Sequence, residues 1–558
     1  MSKGPFDMKN QGSLGGAVNV VTRRPTAGWH LAPSLTGGAA EYLAPSVTGS
    51  YGGNRVAVLA GYSYRRSLAY TDGSGRRITE PANYRADAVD SEAFRVGTFW
   101  ARAFWTVAAG DQLQASYASQ HADHVLYPYL LMDAIDDDSD RVQVSYERQR
   151  TGGWLTGLKT QAYFTQVDHW MTDEYRSSSS AMPRAWSMGT MADTQTVGGR
   201  VEGLVRGASV GLEAYEREWN TTTELAGRGY RPQNSIPGVS TRAIGLFLER
   251  TWPVSAAVTL TAGGRVDWTR TRADASKADT TLYLAYQGTD QLEVKDVLPA
   301  AKARFSWHLT DGIEVTGGVG HTARVAEANE RFFALRRMGS DWVGNPALDP
   351  SRNTGADLAL TWRRAGLQVS TTVFLNAIDG FITVYDQHRR AAVPGVMNQV
   401  ARSYANVDAR LRGLEVSAGV PISARVSVSG DLSAVRGTQT PQPDLGIVSE
   451  DLAEIPPVRG TARLRYDDGR LFAVAEGVFV GRQEHVDADL NELVTPGYGI
   501  ANLQGGVRRG PLSLTVGLSN VLDHTYREHL SYQRDPFRSG VFVNEPGRNA
   551  FVSISWRF

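Results

Sequence analysis

The last ten residues, Asn549 to Phe558, read N-A-F-V-S-I-S-W-R-F and carry the pattern that decides the fold. Val552, Ile554, Trp556 and Phe558 share one parity, and the residues between them are polar. Successive side chains of a β-strand point to opposite faces, so this segment has one apolar face and one polar face. Strands of transmembrane β-barrels have apolar residues toward lipid, polar residues toward the lumen and aromatic residues at the interface. The segment therefore predicts the closing strand of such a barrel.

The same alternation recurs along most of the chain. Apolar residues are interleaved with polar or small residues in the sets Val142, Val144 and Tyr146; Ile244, Leu246 and Leu248; Val258, Leu260, Val266 and Trp268; Leu367, Val369, Val373 and Leu375; Val426, Val428 and Leu432; and Leu512, Leu514, Val516 and Leu518. The whole pattern predicts an all-β protein, a transmembrane antiparallel β-barrel of about 22 strands, which is an even number as in outer-membrane barrels.

The connections between these segments alternate in length. Short turns are expected at residues 150–153, 206–208, 253–256, 310–312, 364–366, 421–423, 467–469 and 508–510. Long polar loops are expected near residues 67–92, 172–192, 220–239, 271–291, 326–352, 386–400, 436–454, 484–495 and 525–545. Short periplasmic turns and long extracellular loops are typical of outer-membrane barrels, and the pattern places the C-terminus on the short-turn side.

The composition argues against several other classes of protein. Basic and acidic residues balance at 58 each, so the charge gives no argument for a nucleic acid partner. No apolar run approaches the roughly 18 residues that a membrane helix needs. Cysteine is absent, which removes disulfides, thiol nucleophiles and thiolate ligands. H-E-x-x-H and G-x-x-x-x-G-K motifs are absent too, so we expect neither an enzyme nor a protein with a cofactor.

The first 25 residues read M-S-K-G-P-F-D-M-K-N-Q-G-S-L-G-G-A-V-N-V-V-T-R-R-P. They predict a Gly-rich turn at residues 12–16 and a short β-branched strand at residues 17–22, stopped by Pro25. A simple hairpin arm would explain this pattern. The sequence of this segment also resembles the end of the plug domain of TonB-dependent outer-membrane receptors. The residues that carry this resemblance are Gly4, Pro5, Gly12, Gly15, Gly16 and Asn19.

The resemblance implies two domains. Residues 1–25 would be the C-terminal remnant of the plug domain, and residues 26–558 would be the transmembrane β-barrel. Most of the plug and the TonB box would then lie outside this chain. Ser2 to Gly16 lack the basic start and the apolar stretch of a signal peptide. We therefore expect the sequence to be a fragment or to begin at a misassigned methionine.

Resemblance extends into the barrel. Residues 376–385 (N-A-I-D-G-F-I-T-V-Y) and 520–530 (N-V-L-D-H-T-Y-R-E-H-L) are similar to strand-end motifs of the same receptors. Residues 324–333, 342–350 and 491–498 resemble the branch that contains TonB-dependent copper receptors. The resemblance implies an active transporter in the outer membrane of a Gram-negative bacterium. Its partners would be the lipid bilayer, the barrel assembly machinery, the TonB energy-coupling complex and a small metal chelate.

A group of methionines offers candidate ligands for the cargo. Met171, Met182, Met188 and Met191 sit in or beside one expected extracellular loop. Thioether sulfur is a soft ligand suited to Cu(I), although packing inside the loop would explain these residues as well. The copper receptors bind copper through Cys and Met in the plug and a His-x-Met pair in the barrel. This chain has no Cys and no His two positions before Met188. We therefore expect a ferric siderophore, with copper as the alternative, and leave the metal open.

Other polar residues near expected loops have structural explanations beside the functional ones. His121 and His124, with Tyr127 and Tyr129, could contact a ligand or form the aromatic rim of the barrel. The carboxylates of residues 133–140 could hold a hard cation, but a solvated loop is the simpler interpretation. Arg324, Glu327, Glu330 and Arg331 could line a pocket, and we expect them to pair with one another.

The function has alternatives at this stage. Without the rest of a plug, a barrel of this size could be a passive pore. It could also be a surface receptor that binds a ligand without transport. Finding an upstream signal peptide, TonB box and plug would exclude the passive pore.

Overall fold

The computed structural model of the protein describes residues 2–150, 153–182, 184–226, 229–531 and 541–558. Within these ranges, 22 strands form one closed barrel in which each strand pairs antiparallel with the next. The strands are β1 (Gly28–Gly38), β2 (Leu43–Gly52), β3 (Val56–Leu68), β4 (Glu92–Ala108), β5 (Asp111–Val125), β6 (Asp133–Gln149), β7 (Leu155–Thr172), β8 (Met188–Val205), β9 (Ala208–Leu225), β10 (Gln233–Pro253), β11 (Val258–Arg272), β12 (Glu293–Thr310), β13 (Ile313–Arg324), β14 (Ser351–Arg364), β15 (Leu367–His388), β16 (Val400–Pro421), β17 (Val426–Gln439), β18 (Arg459–Asp467), β19 (Leu471–Val480), β20 (Tyr498–Arg509), β21 (Leu512–Ser519) and β22 (Asn549–Trp556).

The barrel closes where the last strand meets the first. In the register of β22 and β1, Phe551 lies opposite Gly38 and Ile554 lies opposite Leu35. The outward side chains of β22 are exposed, including Val552 at 49% and Ile554 at 44%. An apolar surface of this kind is stable when it faces lipid. The closing strand predicted from the C-terminal sequence is therefore confirmed.

The connections sort by length as expected. One end of the barrel carries short turns, for example between β12 and β13 and between β14 and β15. The other end carries long loops that contain two helices, α1 (Thr280–Gln287) and α2 (Ala328–Phe332), and three 3₁₀ turns, Glu80–Ala82, Ser177–Ser179 and Pro443–Leu445, within the described ranges. The backbone N–H of Phe558 donates to the Leu31 carbonyl, so the C-terminus lies at the short-turn end, as predicted.

Two local predictions were wrong. Residues 133–140 were expected as a loop, but they form the first half of β6, because hydrogen bonds to β5 and β7 continue beyond the apolar band. Residues 17–22 were expected as a strand, but pairing is confined to Gly16–Ala17 with Ser2–Lys3. Residues 18–22 carry no ladder because, in the described part of the chain, no strand lies beside them.

Inward-facing aromatic rings cover glycines on neighbouring strands. In each of these pairs the two residues are direct register partners, and a Cβ atom on the glycine would overlap the ring: Gly61 with Trp100, Gly198 with Tyr163, Gly211 with Phe247, Gly413 with Phe374, Gly506 with Phe472, and Gly517 with Phe551. Glycine is needed at these positions because the ring occupies the space of its missing side chain. The rings therefore lie along the wall of the lumen.

The long loops at one end form a folded layer of their own. Leu282, Tyr283 and Tyr286 of α1 pack with Phe332 of α2 and with Val343 in a buried apolar cluster. Short strands Ala334–Leu335 and Asp341–Val343 pair with each other, and the second also pairs with β16. Among the described residues, no helix is both long and apolar enough to cross a membrane.

Candidate functional site

The N-terminal segment, residues 2–26, lies inside the barrel, and residues 6–14 of it contact β11 to β14. Lys302 donates a hydrogen bond to the Phe6 carbonyl at 2.9 Å, and Arg265 donates to the Lys9 carbonyl at 3.0 Å. Phe6 itself is buried, and the Arg304 guanidinium lies over its ring at 4.3 Å. These contacts fix the segment to one side of the lumen.

Further along the segment, the contacts reach the long-loop end of β13 and β14. Thr322 donates to the Ser13 carbonyl at 3.2 Å. Asn353 donates to the Leu14 carbonyl at 2.7 Å. The backbone of residues 13 and 14 is therefore held by side chains of two strands.

A polar cavity of about 1170 Å³ separates the N-terminal segment from the barrel wall. Its lining carries both signs of charge. The basic lining residues are Lys9, Arg24, Arg102, Lys159, Arg200 and Lys302, and the acidic ones are Asp7, Glu147, Glu202, Glu213 and Glu249. Because the charges nearly balance, the cavity has no strong preference for a cation or an anion.

At the long-loop end, a buried ion pair joins three loops. Arg176 donates to both carboxylate oxygens of Asp133, at 2.8 and 2.6 Å, and to the Ala82 carbonyl at 2.8 Å. Tyr84 donates to Asp133 at 2.6 Å, and the Arg176 guanidinium lies 3.8 Å from the centre of the Tyr84 ring. Burial is also the main cause that raises the pKa of Tyr84, which keeps its hydroxyl a donor. Loops 69–91, 126–132 and 173–187 are thereby held together.

Loop 325–350 belongs to a second rigid group of loops. Tyr286 of α1 donates to the Asp341 carboxylate at 2.7 Å, and Asn398 donates to the same carboxylate at 2.7 Å. Arg336 donates to Asp279 at 2.7 Å. Polar contacts therefore reinforce the apolar cluster of α1 and α2.

A pocket of about 260 Å³ lies where these two groups of loops meet. Residues from six loops or strand ends line it, including Leu130, Asp173, Met188, Tyr230, Met338 and Val541. The Asp173 carboxylate accepts hydrogen bonds from the backbone N–H of Ser187 at 2.8 Å and from that of Met188 at 2.9 Å. These bonds fix one wall of the pocket. Enclosed pockets with mixed apolar and polar walls are the usual form of small-ligand sites, so this pocket is the candidate binding site.

The four candidate methionines do not form one cluster. Met188 lines the pocket. Met171 lies opposite Thr190, whereas Met191 lies opposite Trp170, so these two side chains point to opposite faces of the sheet. Met191 faces outward and is 55% exposed. Met182 lies in loop 173–187, next to Pro183, which is outside the described residues. Met338, which the sequence argument did not consider, lines the same pocket as Met188.

His121 and His124 lie away from the pocket. His121 shares its parity on β5 with the exposed residue Tyr117, so it faces outward, where its Nδ1 atom lies 2.5 Å from Asp138. One ligand atom each from His121, Asp136 and Asp138 lie within 4.8 Å of one another, and the pairing with Asp138 explains this cluster as an ion pair. His124 contacts the Tyr175 ring at 5.4 Å and the Asp123 carboxylate at 3.2 Å.

Arg324 and its neighbours form ion pairs, though not only with one another. Arg324 donates to both carboxylate oxygens of Glu330 at 2.8 Å. Glu327 pairs with Arg217 on β9, and Arg331 pairs with Asp296 on β12. The structural pairing expected for this set is present.

Residues 207–211 read G-A-S-V-G and fit a nucleophile-elbow pattern that the sequence argument overlooked. Such an elbow requires a strand-to-helix turn. Here Gly207 lies in a strand-to-strand turn, and Ser209 donates to Glu202 at 2.5 Å. The arrangement is a hairpin, and it gives no catalytic serine.

Arg176 and Asp173 line the pocket and were not predicted, whereas Asp133, the partner of Arg176, was predicted only as one carboxylate of the acidic run 133–140. Arg176 and Asp133 are 43 positions apart, and periodicity carries no information about such long-range pairs. Asp173 and Arg176 belong to no sequence motif that would have identified them.

The chain is similar to known outer-membrane proteins. A family model described as "TonB dependent receptor-like, beta-barrel" matches residues 63–521. No curated protein sequence matches the chain.

Three solved structures have the same fold. The copper transporter OprC matches with a TM-score of 0.82 and 19% identity, covering 100% of this chain and 85% of that one. The siderophore receptor PirA from Pseudomonas aeruginosa matches with a TM-score of 0.62 and 15% identity, covering 100% and 85%. The Serratia marcescens hemophore receptor HasR, solved with its hemophore HasA and heme, matches with a TM-score of 0.74 and 16% identity, covering 100% and 86%.

Proposed function

Because the chain belongs to the family of TonB-dependent receptor-like β-barrels, whose members are receptors and transporters of the bacterial outer membrane, we propose that it takes up a small metal complex. The observation that carries the proposal is the pocket between the two groups of loops at the extracellular end. Cargo would bind there and pass inward through the lumen of the barrel.

The pocket supports a compact cargo. Its volume of about 260 Å³ is close to the lower end of the range for ligand pockets. A ferric siderophore, the expectation from the sequence, stays a prediction and requires a compact chelate or movement of the loops. Copper is the second candidate, since Met188 and Met338 bring two thioether side chains to the same pocket.

The N-terminal segment supports the domain division expected from the sequence. It lies within the lumen and is fixed to β11 to β14, as the end of a plug would be. In the proposed transporter, residues 1–25 are the end of the plug domain and residues 26–558 are the barrel. The TonB complex would act on the plug, and the barrel assembly machinery of a Gram-negative host would insert the barrel.

Uptake in a host that lacks its own receptors tests this proposal. The chain is placed behind the leader and plug of a TonB-dependent receptor, and cells receive radioactive copper(I) or a ferric trihydroxamate. Uptake of one cargo that stops when the inner membrane is de-energised would support the transporter. Uptake of both cargoes and of unrelated small solutes, unaffected by de-energising, would show a passive pore. Binding without uptake would show a surface receptor.

The same uptake assay tests the role of the pocket through variants of its two methionines. Met188→Leu and Met338→Leu keep apolar side chains of similar volume but remove the thioethers. Copper uptake that falls in both variants, while ferric trihydroxamate uptake is unchanged, would identify copper as the cargo. Met191→Leu is the matched control, because Met191 faces outward and lies outside the pocket.

A further inference from the structure

One loop touches both the pocket and the N-terminal segment. Loop 325–350 supplies Arg337 and Met338 to the pocket. It begins directly after Arg324, the last residue of β13. A Cβ atom built on Gly12 would lie 3.6 Å from the Cβ atom of Arg324, so the base of the loop lies beside the Gly-rich turn of the N-terminal segment.

The base of the loop is held by a two-point ion pair. Both Nη atoms of the Arg324 guanidinium donate hydrogen bonds to the Glu330 carboxylate, each at 2.8 Å. The Arg324 side chain is only 26% exposed. Such a fork-to-fork pair fixes orientation as well as distance. Glu330 also accepts the backbone N–H of Glu327 at 2.6 Å, which closes the capping box of α2. Arg324 therefore fixes the first turn of α2.

From α2 the loop continues as a rigid unit to the pocket. Phe332 and Val343 are buried in the apolar cluster of the loops. The backbone N–H of Asn345 donates to the Glu330 carbonyl at 2.8 Å, and that of Gly344 donates to the Phe333 carbonyl at 2.7 Å. These bonds join the segment before Met338 to the segment after it, on the barrel side of Met338.

On the lumen side, the same region holds the N-terminal segment. The Thr322 and Asn353 side chains donate hydrogen bonds to the carbonyls of Ser13 and Leu14, next to the turn that lies beside Arg324. Residues 322–324 at the base of loop 325–350 therefore lie next to residues 12–14 of the N-terminal segment. Packed elements of this kind change position as units.

We propose that Arg324 is a positioning residue that couples occupation of the extracellular pocket to the position of the N-terminal segment in the lumen. This inference rests on the proposed function, because it takes the pocket as the binding site. Arg324 contacts no cargo in this scheme. It transmits the state of loop 325–350 through its pair with Glu330 and its position two residues after Thr322, whose hydroxyl donates to the Ser13 carbonyl.

The test uses a reporter thiol in a chain that has no cysteine. Val20→Cys is chosen because Val20 is 78% exposed inside the barrel. The purified chain carrying this reporter is labelled with a maleimide, with and without copper(I) or the ferric trihydroxamate, and the Kd of each probe is measured. The comparison covers Arg324→Ala, the charge exchange of Arg324→Glu with Glu330→Arg, and Arg270→Ala. Arg270 forms an ion pair with Glu293 at 2.6 Å on the outer face and is the matched control.

We expect the bound probe to change the labelling rate in the wild type and in Arg270→Ala by about tenfold, a usual size for coupling between sites. In Arg324→Ala this change should disappear while the Kd stays within about twofold, and the charge exchange should restore part of it. A ligand-dependent change that persists in Arg324→Ala overturns the proposal. Parallel loss of binding and of thermal stability also overturns it, because Arg324 would then be only structural.

The two proposals fail in different ways. If neither probe binds the wild type, the proposed function fails. The ligand-free labelling rates then test the positioning role of Arg324 by themselves: faster labelling in Arg324→Ala than in Arg270→Ala supports that role, and equal rates overturn it.

Discussion

Arg176 donates hydrogen bonds to both carboxylate oxygens of Asp133, at 2.8 and 2.6 Å, and the two side chains are 3% and 0% exposed. The pair joins three extracellular loops without any covalent link, and it stands at one wall of the pocket.

Arg176→Ala should open these loops. It leaves the Asp133 carboxylate buried without a counter-charge, which costs about 3–5 kcal/mol. We expect rapid proteolysis of loops 69–91 and 173–187, while the barrel itself stays folded. Limited proteolysis followed by mass spectrometry measures the effect. Arg85→Ala is the control, because its pair with Asp87 is exposed and contributes about 0–1 kcal/mol. Equal cleavage of both variants would contradict the role given to Arg176.

Val516→Arg should destabilise the barrel much more than Thr515→Arg. Val516 faces outward and is 48% exposed, whereas Thr515 has the opposite parity on β21 and faces the lumen. An arginine toward lipid near the bilayer midplane costs about 2–4 kcal/mol, while the lumen solvates the charge. Urea titration of the barrel in phospholipid vesicles measures both variants. A larger cost for Thr515→Arg would reverse the assignment of the two faces.

Gly517→Val should be destabilising in a way that depends on Phe551. A Cβ atom at residue 517 overlaps the Phe551 ring, and overpacking of this kind costs about 1–3 kcal/mol. Phe551→Ala in the same chain should remove most of that cost, which a double-mutant cycle would measure. Gly37→Val is the control, since a Cβ there makes its nearest contact at 3.8 Å. Strictly additive changes would mean that the ring does not require the glycine.

Glu545 should make the chain around Ser531, which donates a hydrogen bond to it, sensitive to pH. Burial raises the pKa of Glu545 above its ordinary value of 4.5, and the nearby Glu528 adds to the shift. A raised carboxyl pKa stabilises the fold fully below 4.5, and that contribution is lost as the pH rises through the shifted value. Glu545→Gln should therefore slow proteolysis at Leu530 and Ser531, relative to the wild type, at pH 7 but not at pH 4. A ratio that does not change with pH would contradict this assignment.

The sequence predicts the barrel better than it predicts the site. Alternation identifies outward residues such as Val552 and Ile554, because lipid on one side and water on the other impose a period of two. Above the lipid both faces of a strand are wet, so residues 133–140 lose that period although they remain paired in β6. The candidate site depends on pairs such as Arg176 with Asp133, whose members are far apart in the chain.

The methionines show the same limit of prediction from sequence. The richness of residues 171–191 in methionine drew attention to this loop region, and Met188 lines the candidate pocket. Its neighbours Met171 and Met191 were grouped with it by sequence distance alone. Strand register separates their side chains, and only the folded loops bring the distant Met338 to the same cavity.

The rings that lie over glycines affect how freely a molecule can travel through the barrel. An aromatic side chain standing upright would project into the passage, whereas a ring lying over Gly61, Gly211 or Gly517 adds little thickness to the wall. The ring can lie flat because its neighbour on the adjacent strand is glycine. These aromatic residues therefore narrow the passage little, and cargo clearance beside them would depend chiefly on what else occupies the interior.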